Sequence, residues 1–330
     1  MSNKITHRER METCLAGGKT DRAPVALWRH FPVDDQNPHS LASAIINFQT
    51  NYDFDFIKVT PASSYCLKDW GVDDRWHGNI HGTRDYIQRA ILTPEDWENL
   101  QPLDPKSGHL GQMLECLRVL MDRYSPDTPV IQTIFSPLSQ AKNLVGPGQL
   151  PVHLRKYPDA VKQGLRTIVE TTLRFIDEIS LLGIDGIFYA IQHAQYGLLS
   201  IDEFAQFGRQ FDLEILKQLP DFWLNVGHIH GDDVMFDQVM DYPVQVLNWH
   251  DRDTYPSLAE AKKLFDGVVC GGLKQEETMV SGSTEQVINE SRSAIQETDG
   301  ERFILGTGCV LPIIAPYGNV MAARMIEEKN

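Results

Sequence analysis

Eight short β-rich runs alternate with amphipathic stretches along this chain, and that order leaves few folds open. A strand followed each time by a helix returns parallel to its neighbour, and eight such units close a barrel. The runs fall at 24–31 (PVALWRHF), 56–62, 129–138, 183–192, 222–230 (FWLNVGHIH), 244–251, 267–273 and 303–311 (FILGTGCVL). The predicted fold is an α/β (β/α)8 TIM barrel, and 330 residues, 42% of them hydrophobic, suffice for one such domain over 1–330.

The helices between the runs announce themselves by spacing and by their ends. Val161, Leu165, Ile168, Phe175, Ile176, Ile179 and Leu182 recur at helical intervals, with Pro158 and Asp159 in the first turn and Gly183 just past the end. Ser200 with Glu203, and Thr6 with Glu9, read as capping boxes. The rhythm breaks once, after the second run. Residues 63–128, with turn-forming Gly71, Gly78 and Gly82, three tryptophans (Trp70, Trp76, Trp97) and a helix near 110–124, read as an insertion over the barrel mouth. The tryptophans serve equally as its core or as ligand walls.

A formal net charge of −15 argues against a nucleic-acid partner, whose phosphates call for clustered Lys and Arg, and against an anionic membrane surface. Five cysteines stand singly, without CxxC spacing, so a disulfide framework is not indicated and a reducing cytoplasmic setting is expected. No stretch approaches the roughly 18 apolar residues of a membrane span. The charged start has no apolar core of a signal peptide, so a soluble, unprocessed chain is the expectation.

In a parallel barrel, chemistry collects where the strands end. The first run ends in Arg29 and His30, the fourth in Gln192 and His193, the fifth in His228 and His230, the sixth in Asn248, His250 and Asp251, and the eighth in Thr307 and Cys309. Residues i and i+2 of a strand share a side, so the HxH of GHIHGDD presents two imidazoles to one point. With Cys309 they make a three-ligand set that leaves a zinc position open for substrate, and His193 is a candidate fourth ligand. The plainer alternative has each histidine bonded to a buried carboxylate, and a lone strand-end Cys is usually a small packed hydrophobe. Asp232 and Asp233 read as helix caps, and Gly271-Gly272 as a turn. Arg29, near Asp34 and Asp35, suits an anionic ligand group.

The opening RERMETCLAGGKTDRAPVALW and the closing ILGTGCVLPIIAPYGNVMAA resemble the two ends of the uroporphyrinogen decarboxylase-like superfamily, a likeness that spans nearly the whole chain. The resemblance implies a (β/α)8 barrel and one of two chemistries: metal-free decarboxylation of tetrapyrrole acetates, or zinc-dependent methyl transfer between a corrinoid and a thiol or similar acceptor. Against the decarboxylases, Arg29 stands without a second arginine, Gly306-Thr307-Gly308 replaces a Gly-His-Gly, and no tyrosine occurs in 136–148; Asp55 or Asp53 would match their binding aspartate. Against the methyltransferases, His228-x-His230 stands where a His-x-Cys is usual and Gly308-Cys309 matches, a donor set harder than theirs.

The expected function is therefore a metal-dependent methyltransferase-like enzyme. Zinc would be held by His228, His230 and Cys309, a corrinoid would be a possible methyl donor, Arg29 and Asp55 would bind substrate, and His250 or His193 would move protons. A decarboxylase of a small or tetrapyrrole carboxylate and a non-catalytic corrinoid-binding protein are the alternatives. A small-molecule substrate, a corrinoid-protein partner and homo-oligomer formation complete the expectation.

Overall fold

The computed structural model describes residues 5–326; the first four residues of the charged start and residues 327–330 lie outside it. Nine strands run in chain order: β1 (Ile57–Val59), β2 (Asp73–Arg75), β3 (Asp85–Gln88), β4 (Val130–Phe135), β5 (Gly186–Ile191), β6 (Val226–Ile229), β7 (Val246–Trp249), β8 (Val268–Leu273) and β9 (Phe303–Thr307). Seven of them form one parallel sheet in the order β1-β4-β5-β6-β7-β8-β9. Every residue in these seven strands is buried, as expected of a sheet enclosed on both faces.

The first of the eight runs is the exception. It forms a single parallel bridge, Val25 to Leu305, rather than a strand. Ala26 N–H donates to Leu305 O and Leu305 N–H to Pro24 O on one side, while Asp55 N–H donates to Val25 O on the other. This segment thus lies between β9 and the approach to β1 and closes the ring. The pairing stays short because Pro24 has no amide hydrogen and Pro32 ends the run.

The expected helix is observed as Pro158–Ser180, and both capping boxes, Thr6 with Glu9 and Ser200 with Glu203, are formed. The interruption at 63–128 is narrower than its sequence limits. Helix Gly108–Tyr124 packs on Pro38–Tyr52 and β4, which makes it the outer helix of the second βα unit rather than part of the insertion. What is inserted is the antiparallel β2–β3 hairpin and short helix Glu95–Asn99, joined to the mouth where Ile313 N–H donates to Ile80 O. Of its tryptophans, Trp97 is wholly buried beside Gly164 and donates to His153 Nδ1, a packing role.

Gly271 and Gly272 lie inside β8 rather than in a turn. The Asp251 carboxylate reaches across to accept from Gly272 N–H at 3.1 Å, and any Cβ on Gly271 would collide with it. Gly272 itself sits at φ 105°, open to glycine. No helix among the described residues is long and apolar enough to cross a membrane.

Candidate active site

The β6 pair does face inward. Ladder register sets Ala190, His228, Asn248 and Cys270 at one level on four successive strands, so His228 and Asn248 stand side by side above the core. His228 Nδ1 is 2.7 Å from Asn248 Oδ1. Asn248 spends both amide hydrogens on carbonyls, Cys270 O at 2.9 Å and Thr307 O at 3.0 Å, so its oxygen can only accept. The proton on His228 is therefore on Nδ1, and the Nε2 lone pair is free. Phe188 stacks on the other side of the ring, centroids 5.1 Å apart at 30°, and holds its plane.

His230 follows the last residue of β6, anchored by its N–H to Ile191 O. Cys309 arrives from the turn after β9, where Thr307 Oγ1 donates to Cys309 O at 2.6 Å. Gly308 makes this approach possible: a Cβ there would lie 2.6 Å from His250 Cα. The result brings Cys309 Sγ to 3.5 Å from His230 Nδ1. One donor atom each from His228, His230, His250 and Cys309 lies within 4.8 Å of every other. His250, foreseen as a proton carrier, thus stands in the cluster, and its buried Nε2 has no partner among the described residues.

Burial holds all of these imidazoles in the neutral form that a metal requires. It pushes His228 well below its ordinary value and His230 down to about 4, with His250 adding to the latter. His250 is lowered and the Cys309 thiol raised by the same cause. Three imidazoles and one thiol, with one tautomer fixed and one buried nitrogen unpartnered, suit a divalent transition metal of zinc type.

Three of the four, His228, His230 and Cys309, form part of the wall of a cavity of about 580 Å3 at the strand ends, bordered by residues of the β2–β3 hairpin. That volume suits a small organic ligand. His193 is not among the four. It lines an adjoining side pocket with Lys142, Gln192 and His230, is pushed down to about 3 by burial and Lys142, and keeps its Nδ1 unpartnered.

Two expected site residues lie elsewhere. Arg29 turns out of the barrel, stacked over Phe31 and Phe48 at 5.2 and 5.3 Å and bonded to Ile313 O, because an arginine without a carboxylate partner gains most by lying on aromatic faces. Asp55 precedes β1 and so sits at the opposite end of the barrel, wholly buried. There it accepts from Arg10, Arg22 and Val25 N–H and pairs with His7. It secures the seam between the first run and β1 rather than a substrate.

Lys58 escaped the sequence reading. Lys58 in β1 points into the cavity, donates to Thr60 Oγ1 and lies 4.4 Å from the Phe188 ring centroid, with burial lowering it to about 7. A lysine within the apolar run FIKV, on a strand buried on both faces, was the available signal.

Comparison with known proteins agrees with this architecture. The chain is 22% identical to the methylcobamide:CoM methyltransferase MtaA of Methanosarcina barkeri, over 97% of both chains. It is 22% identical to the methylcobamide:CoM methyltransferase MtbA of Methanosarcina acetivorans, over 76% of this chain and 72% of that one. Its fold superposes on a methyltransferase from Methanosarcina mazei with a TM-score of 0.84 at 18% identity, covering 97% of each. A B12-independent methionine synthase from Shewanella superposes less closely, at 0.58 and 12% identity over 92% of this chain and 93% of that one. The family model for uroporphyrinogen decarboxylase (URO-D) matches residues 6–327, so the chain belongs to that family.

Proposed function

We propose that this protein transfers a methyl group from a corrinoid, carried by a partner protein or free, to a heteroatom of a small acceptor, at a zinc ion held by His228, His230 and Cys309. The observation that carries this reading is the convergence of those donors with His250 within 4.8 Å at the mouth of a ligand-sized cavity. The names of the relatives, methylcobamide:CoM methyltransferases, support the donor and the reaction type.

In such a transfer the cobalt–carbon bond breaks with its electron pair left on cobalt, the acceptor's lone pair forms the new bond to carbon, and the acceptor's proton departs. Zinc, when bound, supplies the Lewis acidity that lowers the pKa of the acceptor heteroatom. Asn248 keeps His228 in the ligating tautomer, and Phe188 stacks on its ring. His250 either completes the donor set or takes the acceptor's proton. The decarboxylase reading rested on Arg29 and Asp55, neither of which lines the cavity.

The test is elemental analysis of freshly purified protein joined to a spectrophotometric assay of methylcobalamin demethylation in the presence of thiols. About one zinc per chain, lost in His228→Ala together with demethylation, is the expected result. A metal-free wild type that demethylates nothing, or a His228→Ala protein that keeps both properties, refutes the reading.

A further inference from the structure

The cavity wall carries an amine that methyl transfer does not use. Four basic side chains line this space: Lys58, Arg84, Arg89 and Lys142. Arg84 pairs with Asp74 and Asp35, Arg89 lies on Tyr86 and gives an N–H to Asn143 O, and Lys142 donates to Gln192 Oε1. Lys58, Arg89 and Lys142 have no carboxylate partner among the described residues. Of the four, only Lys58 is buried.

The surroundings of Lys58 suit a neutral nitrogen. It stands at the centre of β1, in register with Ile131 of β4, so the sheet fixes its stem and carries its Nζ inward. The one hydrogen bond that Nζ makes among the described residues goes to Thr60 Oγ1 at 3.2 Å, and that hydroxyl in turn donates to Lys58 O. Beyond it lie aromatic faces. The Phe188 centroid is 4.4 Å from Nζ and the Trp28 centroid 5.8 Å, the two rings standing edge to face at 66°. Phe135 lines the same space. Burial lowers Lys58 to about 7, so near neutral pH about half of it carries a free lone pair, against roughly one in 2,500 for an ordinary lysine at about 10.4. His30, held neutral by burial, lines the same cavity, and its buried Nδ1 has no partner among the described residues.

A desolvated amine anchored on a strand and facing a ligand-sized space is the nucleophile that condenses with a carbonyl group. We propose that Lys58 captures an uncharged aldehyde or ketone ligand in this cavity as a protonated imine. The Nζ lone pair forms the bond to the carbonyl carbon, and the carbonyl oxygen leaves as water with one proton from Nζ and one from solvent. Nothing is oxidised or reduced. The cation left behind is delocalised and less strongly hydrated than an ammonium, so the faces of Phe188 and Trp28 stabilise it where no carboxylate does. Thr60 and His30 are the uncharged polar groups of that cavity able to bond the departing water. The aromatic walls favour a flat, conjugated carbonyl compound. This capture stands apart from methyl transfer and requires no metal.

The test treats the full chain with benzaldehyde and cyanoborohydride at neutral pH, which fixes an imine as a stable benzylamine, and maps the label by peptide mass spectrometry. Lys58 should take the label at least about ten-fold faster than any exposed lysine, since far more of it is unprotonated. The rate should saturate as benzaldehyde rises, and excess benzyl alcohol, which fills the same space without a carbonyl, should slow it about five-fold or more. Lys58→Met, similar in length and without an amine, should lose the saturable label. Label on Lys142 or on surface lysines with Lys58 unmodified overturns the proposal, whether or not any variant folds. So does a Lys58 rate strictly proportional to benzaldehyde and indifferent to benzyl alcohol, the behaviour of a reactive amine without a ligand site. No corrinoid enters the assay, so its outcome is independent of the methyl-transfer test.

Discussion

Asn248 offers the sharpest test of how the candidate site is built, because its single side chain does two separable jobs. Its oxygen accepts from His228 Nδ1 at 2.7 Å, and its amide hydrogens tie β7 to the carbonyls of Cys270 and Thr307 at 2.9 and 3.0 Å, all in a fully buried position. In Asn248→Leu all three bonds go. At ~1 kcal/mol net per hydrogen bond, and more where a buried group is left unpaired, the metal-free fold should lose about 3 kcal/mol. Without an acceptor, His228 is free to move its proton to Nε2, and zinc affinity should fall roughly 10- to 100-fold, the usual effect of losing the partner of a ligating histidine. Asn248→Asp dissects the two roles. A carboxylate still accepts from His228 Nδ1 but cannot donate to the two carbonyls, so stability should fall at least as far while zinc affinity stays within about ten-fold of the wild type. Urea unfolding of metal-free protein reads the first quantity, and competition with a chelating dye reads the second. Asn248→Leu protein that binds zinc as tightly as wild type would refute the argument that this amide sets the tautomer.

At the other end of the barrel, Asp55→Asn should cost about 3–5 kcal/mol, because it leaves Arg10 and Arg22 facing a neutral group in a buried site, yet zinc content should not change. Loss of zinc from folded Asp55→Asn protein would contradict that assignment. Burial alone would raise the Asp55 carboxyl, but His7, Arg22 and Arg10 outweigh it and hold it well below the usual range. Its stabilising effect is therefore complete above about pH 4 and declines as acid approaches the folded value, which urea midpoints measured from pH 6 down to 3 in wild type and Asp55→Asn would display. The histidines act in the same direction but over a higher pH window. His30, His193 and His230 titrate near 3, 3 and 4 in the fold, below the unfolded value of about 6.5, so between those limits the unfolded chain binds more protons. Metal-free protein should be most stable above pH 6.5 and lose up to about 4 kcal/mol per pH unit below it, at ~1.4 kcal/mol per histidine. A denaturation midpoint that stays level from pH 7 to 5 would show that these rings are not buried neutral.

The barrel was legible because strand content depends on local apolar and β-branched runs, and seven of those runs are strands. The first run, 24–31, failed as a strand through its prolines, which a run-by-run reading does not weigh against pairing. His228, His230 and Cys309 could be placed from strand ends alone, since a parallel barrel delivers all such ends to one face. Arg29 and Asp55 could not. The two differ from the cluster in that their positions depend on partners remote in sequence, the aromatics Phe31 and Phe48 for one and the cations Arg10 and Arg22 for the other. Lys58 and Arg89 were missed for a related reason: a cation's lack of a partner becomes visible only when the whole neighbourhood is assembled.

Ring closure through Val25 has a consequence for how the protein is made. The bridge joins residues 280 positions apart in the chain, with Val25 near its beginning and Leu305 near its end. A nascent polypeptide can stack its central βα units while still tethered to the ribosome, but its first segment must wait for β9 to emerge before it finds its second neighbour. Until then, the growing sheet and the first segment each keep one edge open, a row of unpaired amides. Closure through β9 is thus the pairing that must come late, while Asp55, which accepts from Arg10, Arg22 and Val25 N–H, involves only residues of the first sixth of the sequence and can hold the first segment before then.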